Sequence, residues 1–311
     1  MGRNKGKIKS IFIIINFILV IGIIVLSYSQ YQKYQDNATK KNNILGEYKK
    51  IMNDQELDEQ KINEINDKFT ELNNIDDKIK NTREEVYKLA SELEKKIKNN
   101  ETNKKIAYLT FDDGPYYNTY KVLKILKENK VKATFFTTNT NGEHCYDNRS
   151  ANCHEVYKAI AKDNHTIANH TYTHGWNRGL YNNVNTFMDA VKKQENLIKE
   201  KTGIVTNILR FPGGSSTPGA TRGKAMKQAL YEAGYGWVDW TASDGDGGYL
   251  KDYATGWKNF TGTIGEKIEV VLFHDYHQVT TAMLPNVIKY LQEKNYIILP
   301  LFYESVMINK K

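Results

Sequence analysis

Residues 110–115 read TFDDGP: two carboxylates, Asp112 and Asp113, stand side by side between a strand-like lead-in and a Gly-Pro break. Neighbouring side chains on an extended chain point in different directions. One carboxylate can therefore hold a cation while the other stands off to take a proton from a water that the cation acidifies, since a bound metal lowers that water's pKa to about 7. A solvated turn is the alternative, because Asp and Gly-Pro are common turn residues. The segment HTYTH supplies His170 and His174. Extended, they would lie about 13 Å apart at roughly 3.3 Å per residue, too far to share an ion. On a helical turn, positions i and i+4 share a face. Two imidazoles and the carboxylate of Asp113 then form a facial set with positions open for water and substrate.

Two further groups suit the same chemistry. Arg210, in LRFPGG, carries a permanent charge that can hold a carboxylate ionised and oriented, and the following Gly213 and Gly214 let backbone approach closely enough to offer an N–H to an oxyanion. VVLFHD ends an apolar run with His274 and Asp275, and a histidine placed there can protonate a leaving amine. His144, His154, His165 and His277 read as surface residues. Taken alone, an arginine at a strand end is more often a surface ion pair, and a lone histidine is as often structural.

These residues need elements to bring them together. Residues 105–111, 131–138, 207–212, 235–240, 267–275 and 296–301 read as short buried strands. Residues 119–129, 155–163, 184–203 (closed by a glycine cap) and 281–295 read as helices. Alternating strands and helices predict an α/β domain with parallel β/α units, and a barrel fits their number better than a dinucleotide-binding sheet. The candidate residues fall at the C-terminal ends of strands, where barrel active sites assemble.

The start of the chain has a different character. A basic decapeptide precedes an almost wholly apolar run at 11–26, somewhat short of the roughly 20 residues of an ideal span. Residues 1–28 are expected to be a cytoplasmic basic tail and single transmembrane anchor, with the remainder extracytoplasmic; a cleaved signal peptide is the alternative. Residues 29–104 are rich in Lys, Glu, Asp, Asn and Gln, with Ile62, Ile65, Phe69, Leu72, Ile79, Val86, Leu93 and Ile97 at heptad spacing. They predict a helical or coiled-coil stalk, which offers a route to self-association. Residues 105–305 form the expected catalytic domain. A net charge of +8 comes with no nucleic-acid motif, so no nucleic-acid partner is expected, and a hydrophobic content of 40% excludes a multi-span membrane protein. Outside the cytoplasm, Cys145 and Cys153, the chain's two cysteines, are expected to form a disulfide, with a zinc site through the flanking histidines as the alternative.

Taken in this order, TFDDGP, H-x-x-x-H, R-x-P and the closing LFH resemble the motifs of the polysaccharide deacetylases, the NodB-homology or carbohydrate esterase family 4 enzymes, over residues 105–303. The resemblance implies a distorted (β/α) barrel, a divalent metal (usually Zn2+, with Co2+, Mn2+ or Ni2+ as alternatives) and hydrolysis of acetyl groups on glycans. It casts Asp112 as general base, Asp113, His170 and His174 as metal ligands, and Arg210 as the group holding Asp112. Gly213 would face the oxyanion, Leu272 would line the acetyl pocket, Phe211 would border the substrate, and His274 would be the general acid. The family's fourth motif, D-x-x-D-W, is not matched: VDWTASDGDG aligns in more than one way, leaving Asp239, Asp244 and Asp246 as candidates to tune His274. The expected substrate is peptidoglycan, through its N-acetylglucosamine. Alternatives are N-acetylmuramic acid, an exopolysaccharide or acetylated xylan, or a catalytically silent glycan-binding scaffold.

Overall fold

Two apolar runs without polar alternation form the centre of the molecule, β1 (Lys105–Asp112) and β9 (Ile268–His274). All but the first residue of β1 and all of β9 are buried, as parallel strands covered on both faces should be. The computed structural model describes residues 80–310, together with Asp36 and Thr39. The expected anchor at 11–26 and most of the stalk lie outside the described residues. Among those described, no helix is long and apolar enough to cross a membrane.

Six further strands join these two in one parallel sheet: β2 (Thr134–Thr137), β5 (Thr166–Asn169), β6 (Ile208–Leu209), β7 (Gly236–Trp237), β8 (Ala242–Ser243) and β10 (Tyr296–Ile298). The order is β7-β6-β5-β2-β1-β9-β8, with β10 beside the first half of β1. The sheet curls, but its ladder stays open between β7 and β8, so the expected barrel is a half-barrel in its hydrogen bonding. The expected single strand at 235–240 divides accordingly. The chain pairs with β6 at Gly236 and Trp237, crosses the opening, and pairs with β9 at Ala242 and Ser243.

Period-two alternation sorts β1 between two compartments. Ala107, Leu109 and Phe111 pack outward, under helices α2 (Thr119–Glu128), α3 (Cys153–Lys162), α4 (Val184–Thr202) and α7 (Gln278–Glu293). Ile106 and Tyr108 face the interior with Phe136, Ile208, Val238 and Val270, and Asp112 tops the same row. The helix α1 (Lys80–Lys98), the described part of the segment expected to be a stalk, closes the interior from below. Ala90, Leu93 and Ile97 pack there, and the buried Glu94 accepts from Tyr108, from Ser305 at 2.5 Å and from the Val306 N–H at 2.8 Å.

Two helices carry little sequence signal: α5 (Ala220–Glu232), with Gly223, Met226 and Leu230 as its buried residues, and α6 (Tyr253–Thr263), which is rich in Thr and Gly. At Gly256 of α6 a Cβ would come within 2.8 Å of Met283 Sδ, so the glycine permits close packing against α7. Cys145 and Cys153 are disulfide-bonded across the hairpin of β3 (His144–Cys145) and β4 (Asn148–Asn152).

Candidate active site

The sheet register assembles the site. Asp112 pairs directly with His274 across β1 and β9, and Asn169 pairs with Leu209 across β5 and β6. His170 and Arg210, each one residue further on, therefore emerge side by side at the same end of the sheet. The two histidines then converge differently from the helical turn expected. Residues 170–174 form a loop in which Thr171 (φ 62°) and His174 (φ 46°) adopt left-handed backbone, as Asp113 (φ 70°) does. Three such non-glycine residues in one small region mark backbone held in place by its surroundings. Asn169 contributes by accepting from the Thr171 N–H at 2.8 Å.

His170 Nε2 and His174 Nε2 lie 3.4 and 3.0 Å from Asp113 Oδ1. His170 Nδ1 donates to the Arg210 carbonyl at 2.8 Å, so its Nε2 presents a bare lone pair whenever the ring is neutral. Burial, followed by the charge of His170, pulls His174 down to about 4, so His174 is neutral at pH 7. Asp113 Oδ1 is itself buried without a hydrogen-bond partner. Burial alone would raise this carboxyl, but the nearby imidazole of His170 and the charges of His170, His174 and His274 hold it well below the usual carboxylate range. Three electron-pair donors within 4.8 Å of one another fit a divalent cation.

Asp112 is oriented separately. Arg210 Nη1 donates to its Oδ1 at 2.9 Å, leaving Oδ2 turned toward the cation ligands, 3.6 Å from His170 Nε2. The guanidinium is wholly buried and well satisfied. It also donates to Thr110 Oγ1 at 2.7 Å and to the carbonyls of Val238 and Asp239, each at 3.2 Å, and it lies 4.3 Å from the centre of the Phe136 ring. Thr110 is part of the TFDDGP stretch, yet its part in holding Arg210, 100 positions away, depends on the fold.

His274 faces the cluster from the opposite side, its Nε2 3.8 Å from Asp113 Oδ2. Its Nδ1 donates to Asp246 Oδ1 at 2.7 Å, and its backbone N–H to Asp246 Oδ2 at 2.7 Å. Burial would lower the imidazole's pKa; the Asp246 hydrogen bond and the nearby carboxylates outweigh it and raise the group to about 9. Asp239, the other candidate partner, is turned away and accepts from the Ser215 N–H and hydroxyl at 2.9 and 2.6 Å.

The remaining candidates divide. Gly213 (φ 75°) occupies the turn after Arg210, where a Cβ would stand 3.0 Å from Thr217 Oγ1. Leu272 is buried on β9, two residues before His274. Phe211 differs from the expectation: it has no exposed surface and stacks on Phe187 at 5.1 Å, packing beneath the site instead of bordering a ligand. His165 is likewise no surface residue, being buried with its Nδ1 accepting from the Ala133 N–H. Asp275 turns into the core and accepts from Thr119 Oγ1 at the start of α2 at 2.5 Å. A Cβ at Gly114 would come within 2.5 Å of this carboxylate. Tyr116 and Tyr276, which carried no earlier signal, form an aromatic wall with rings 5.3 Å apart, Tyr276 lying 5.5 Å from the His274 ring.

A sequence model of the family described as polysaccharide deacetylase matches residues 99–235. A peptidoglycan-N-acetylglucosamine deacetylase of Bacillus cereus is 32% identical over 227 residues, covering 69% of this chain and 78% of that enzyme. A chitin deacetylase of Colletotrichum lindemuthianum is 29% identical over 206 residues, covering 60% and 74%. Among solved structures, the catalytic domain of peptidoglycan N-acetylglucosamine deacetylase from Eubacterium rectale is 32% identical, with a TM-score of 0.58 over 67% of this chain and 94% of that domain. The Eubacterium rectale domain shares the fold as well as the sequence, and on these grounds the chain belongs to the polysaccharide deacetylase family.

Proposed function

We infer that the protein is a metal-dependent hydrolase that removes N-acetyl groups from N-acetylglucosamine in peptidoglycan. The observation that carries this reading is the meeting of Asp113, His170 and His174 within 4.8 Å of one another beside a second carboxylate that Arg210 holds in place. A pure binding site needs no such spare base. Support for the substrate comes from the relatives named as peptidoglycan-N-acetylglucosamine deacetylases.

Asp113, His170 and His174 would hold the cation. When bound, a divalent ion lowers the pKa of water and polarises a carbonyl oxygen. Asp112 Oδ2 takes the proton of the attacking water, and Arg210 keeps that carboxylate aimed. The Gly213 N–H faces the oxyanion developing on the acetyl carbonyl, and Leu272 borders the methyl group. His274, protonated at neutral pH, gives its proton to the departing sugar amine. Acetate leaves, and the glycan gains a positive charge. The sugar must lie on the His274 side, where Tyr116 and Tyr276 offer faces for its apolar surface. The apolar run at 11–26 and the stalk that follows fit an enzyme anchored in the cell membrane, acting outside it on a polymer close by.

The test is incubation of the metal-loaded protein with purified peptidoglycan, measuring released acetate and new free amines. Asp112→Asn should lower acetate release by about 10²–10⁴-fold while the protein remains folded. Chelation should abolish release, and a returned divalent ion should restore it. Glycan binding without acetate release under several metals would instead favour a scaffold.

A further inference from the structure

One carboxyl more than a histidine–carboxylate pair requires is buried behind His274. Asp246 makes that pair. Asp244, two residues earlier and equally without exposed surface, accepts the Asp246 N–H on Oδ1 at 3.1 Å, and its Oδ2 lies 2.7 Å from Thr280 Oγ1. The same Thr280 oxygen lies 2.8 Å from Asp246 Oδ2. A hydroxyl carries a single proton and can donate to only one of two carboxylates. The other must meet Oγ1 as a donor, which requires a protonated acid. Asp246 already accepts two N–H groups from His274 and has every reason to accept the hydroxyl as well. Asp244 is left as the group that brings the extra proton.

We propose that Asp244 is a neutral carboxylic acid that donates to Thr280, which in turn donates to Asp246, so that Asp244 and Thr280 are positioning residues acting through Asp246 on His274. The surroundings agree. From α6, Asn259 approaches with a neutral amide bonded to the Asp244 carbonyl; from α7, Thr280 is neutral; on β9, His274 stands on the far side of Asp246. Tyr276, whose phenol feels both carboxyls, is pushed up to about 12 by burial and nearby carboxylates and stays neutral. Burial, followed by the charge of Asp246, pushes Asp244 up to about 7. A single negative charge shared over the pair lets Asp246 hold the imidazole without a second buried anion against it.

The functional consequence rests on His274 acting as the acid in the deacetylation proposed above; the protonation of Asp244 does not, and the test separates the two. The metal-loaded full chain is examined by infrared difference spectroscopy at about pH 6. The wild-type-minus-Asp244→Asn difference should contain the C=O stretch of a buried protonated carboxyl, the band of Asp275, present in both, cancelling. In acetate release from peptidoglycan, Asp244→Ala and Thr280→Val should each lower kcat about 10-fold with KM little changed. Asp244→Asn, whose amide N–H stands in for the O–H, should recover most of the Asp244→Ala loss. Absence of that band from the difference, or an Asp244→Asn variant no better than Asp244→Ala, overturns the relay. If the wild type releases no acetate, the deacetylase reading fails, and the infrared band alone decides the relay.

Discussion

Arg210 shows how much of the site depends on one side chain. A fully buried guanidinium is tolerated because its donors meet Thr110, Asp112 and two backbone carbonyls, with the Phe136 ring close by. Substituting Arg210→Met would leave Asp112 as a buried carboxylate without its counter-charge. We expect a loss of about 3–5 kcal/mol in denaturant unfolding, together with loss of acetate release. Arg210→Lys should not rescue it, because one ammonium cannot reach four acceptors spread around a planar fork. Equal stability of Arg210→Met and wild type would mean that Asp112 is solvated in solution.

At the scale of elements, α1 is bound into the domain. Leu93 and Ile97 extend the interior cluster of Ile106, Ile268 and Ile297, Tyr87 stacks on Phe302 at 4.7 Å, and Ser91 donates to the Glu304 carbonyl at 2.6 Å. α1 therefore meets the half-barrel at its base, at the end of the strands opposite the chemistry. Leu93→Ala should cost about 2–5 kcal/mol of domain stability, a loss expected of a core position and not of a solvated linker. A shift of less than about 0.5 kcal/mol would show that α1 docks only weakly.

The whole molecule should report the cation and the buried acids through its stability. A divalent ion at about 100 times its Kd stabilises by about 2.7 kcal/mol, a rise of roughly 5–10 °C in the thermal midpoint of a domain this size. His170→Ala and His174→Ala should abolish that rise, whatever the activity. Asp275 titrates at about 7 in the fold against 3.8 for an ordinary aspartate, raised by burial, which outweighs the Thr119 hydrogen bond. Between those values the folded state keeps a proton that the unfolded chain has lost, so stability falls as pH rises through the window. Thermal melts of the chelated protein from about pH 4 to about pH 7 should show this decline, and Asp275→Asn should make it shallower, leaving the share of Asp244. An unchanged slope in Asp275→Asn would place the titration elsewhere.

Much of the chemistry was legible from residue types and spacing, because paired carboxylates, spaced imidazoles and apolar strands leave local traces in the chain. Runs such as those of β1 and β9 announce burial by themselves, and the glycine that ends α4 announces its cap. What stayed hidden depended on partners far along the chain. Asp239 and Asp246 were equal candidates until the crossing from β7 to β8 turned one toward Ser215 and the other toward His274. An apolar stripe suited to a coiled coil was equally suited to the base of a half-barrel, and α1 took the second role. Phe211 and His165 looked available in the linear order but were buried by helices and strands packed from elsewhere. Local period encodes which side of an element a residue occupies; which group waits on that side is set by long-range register, and tertiary packing alone decides it.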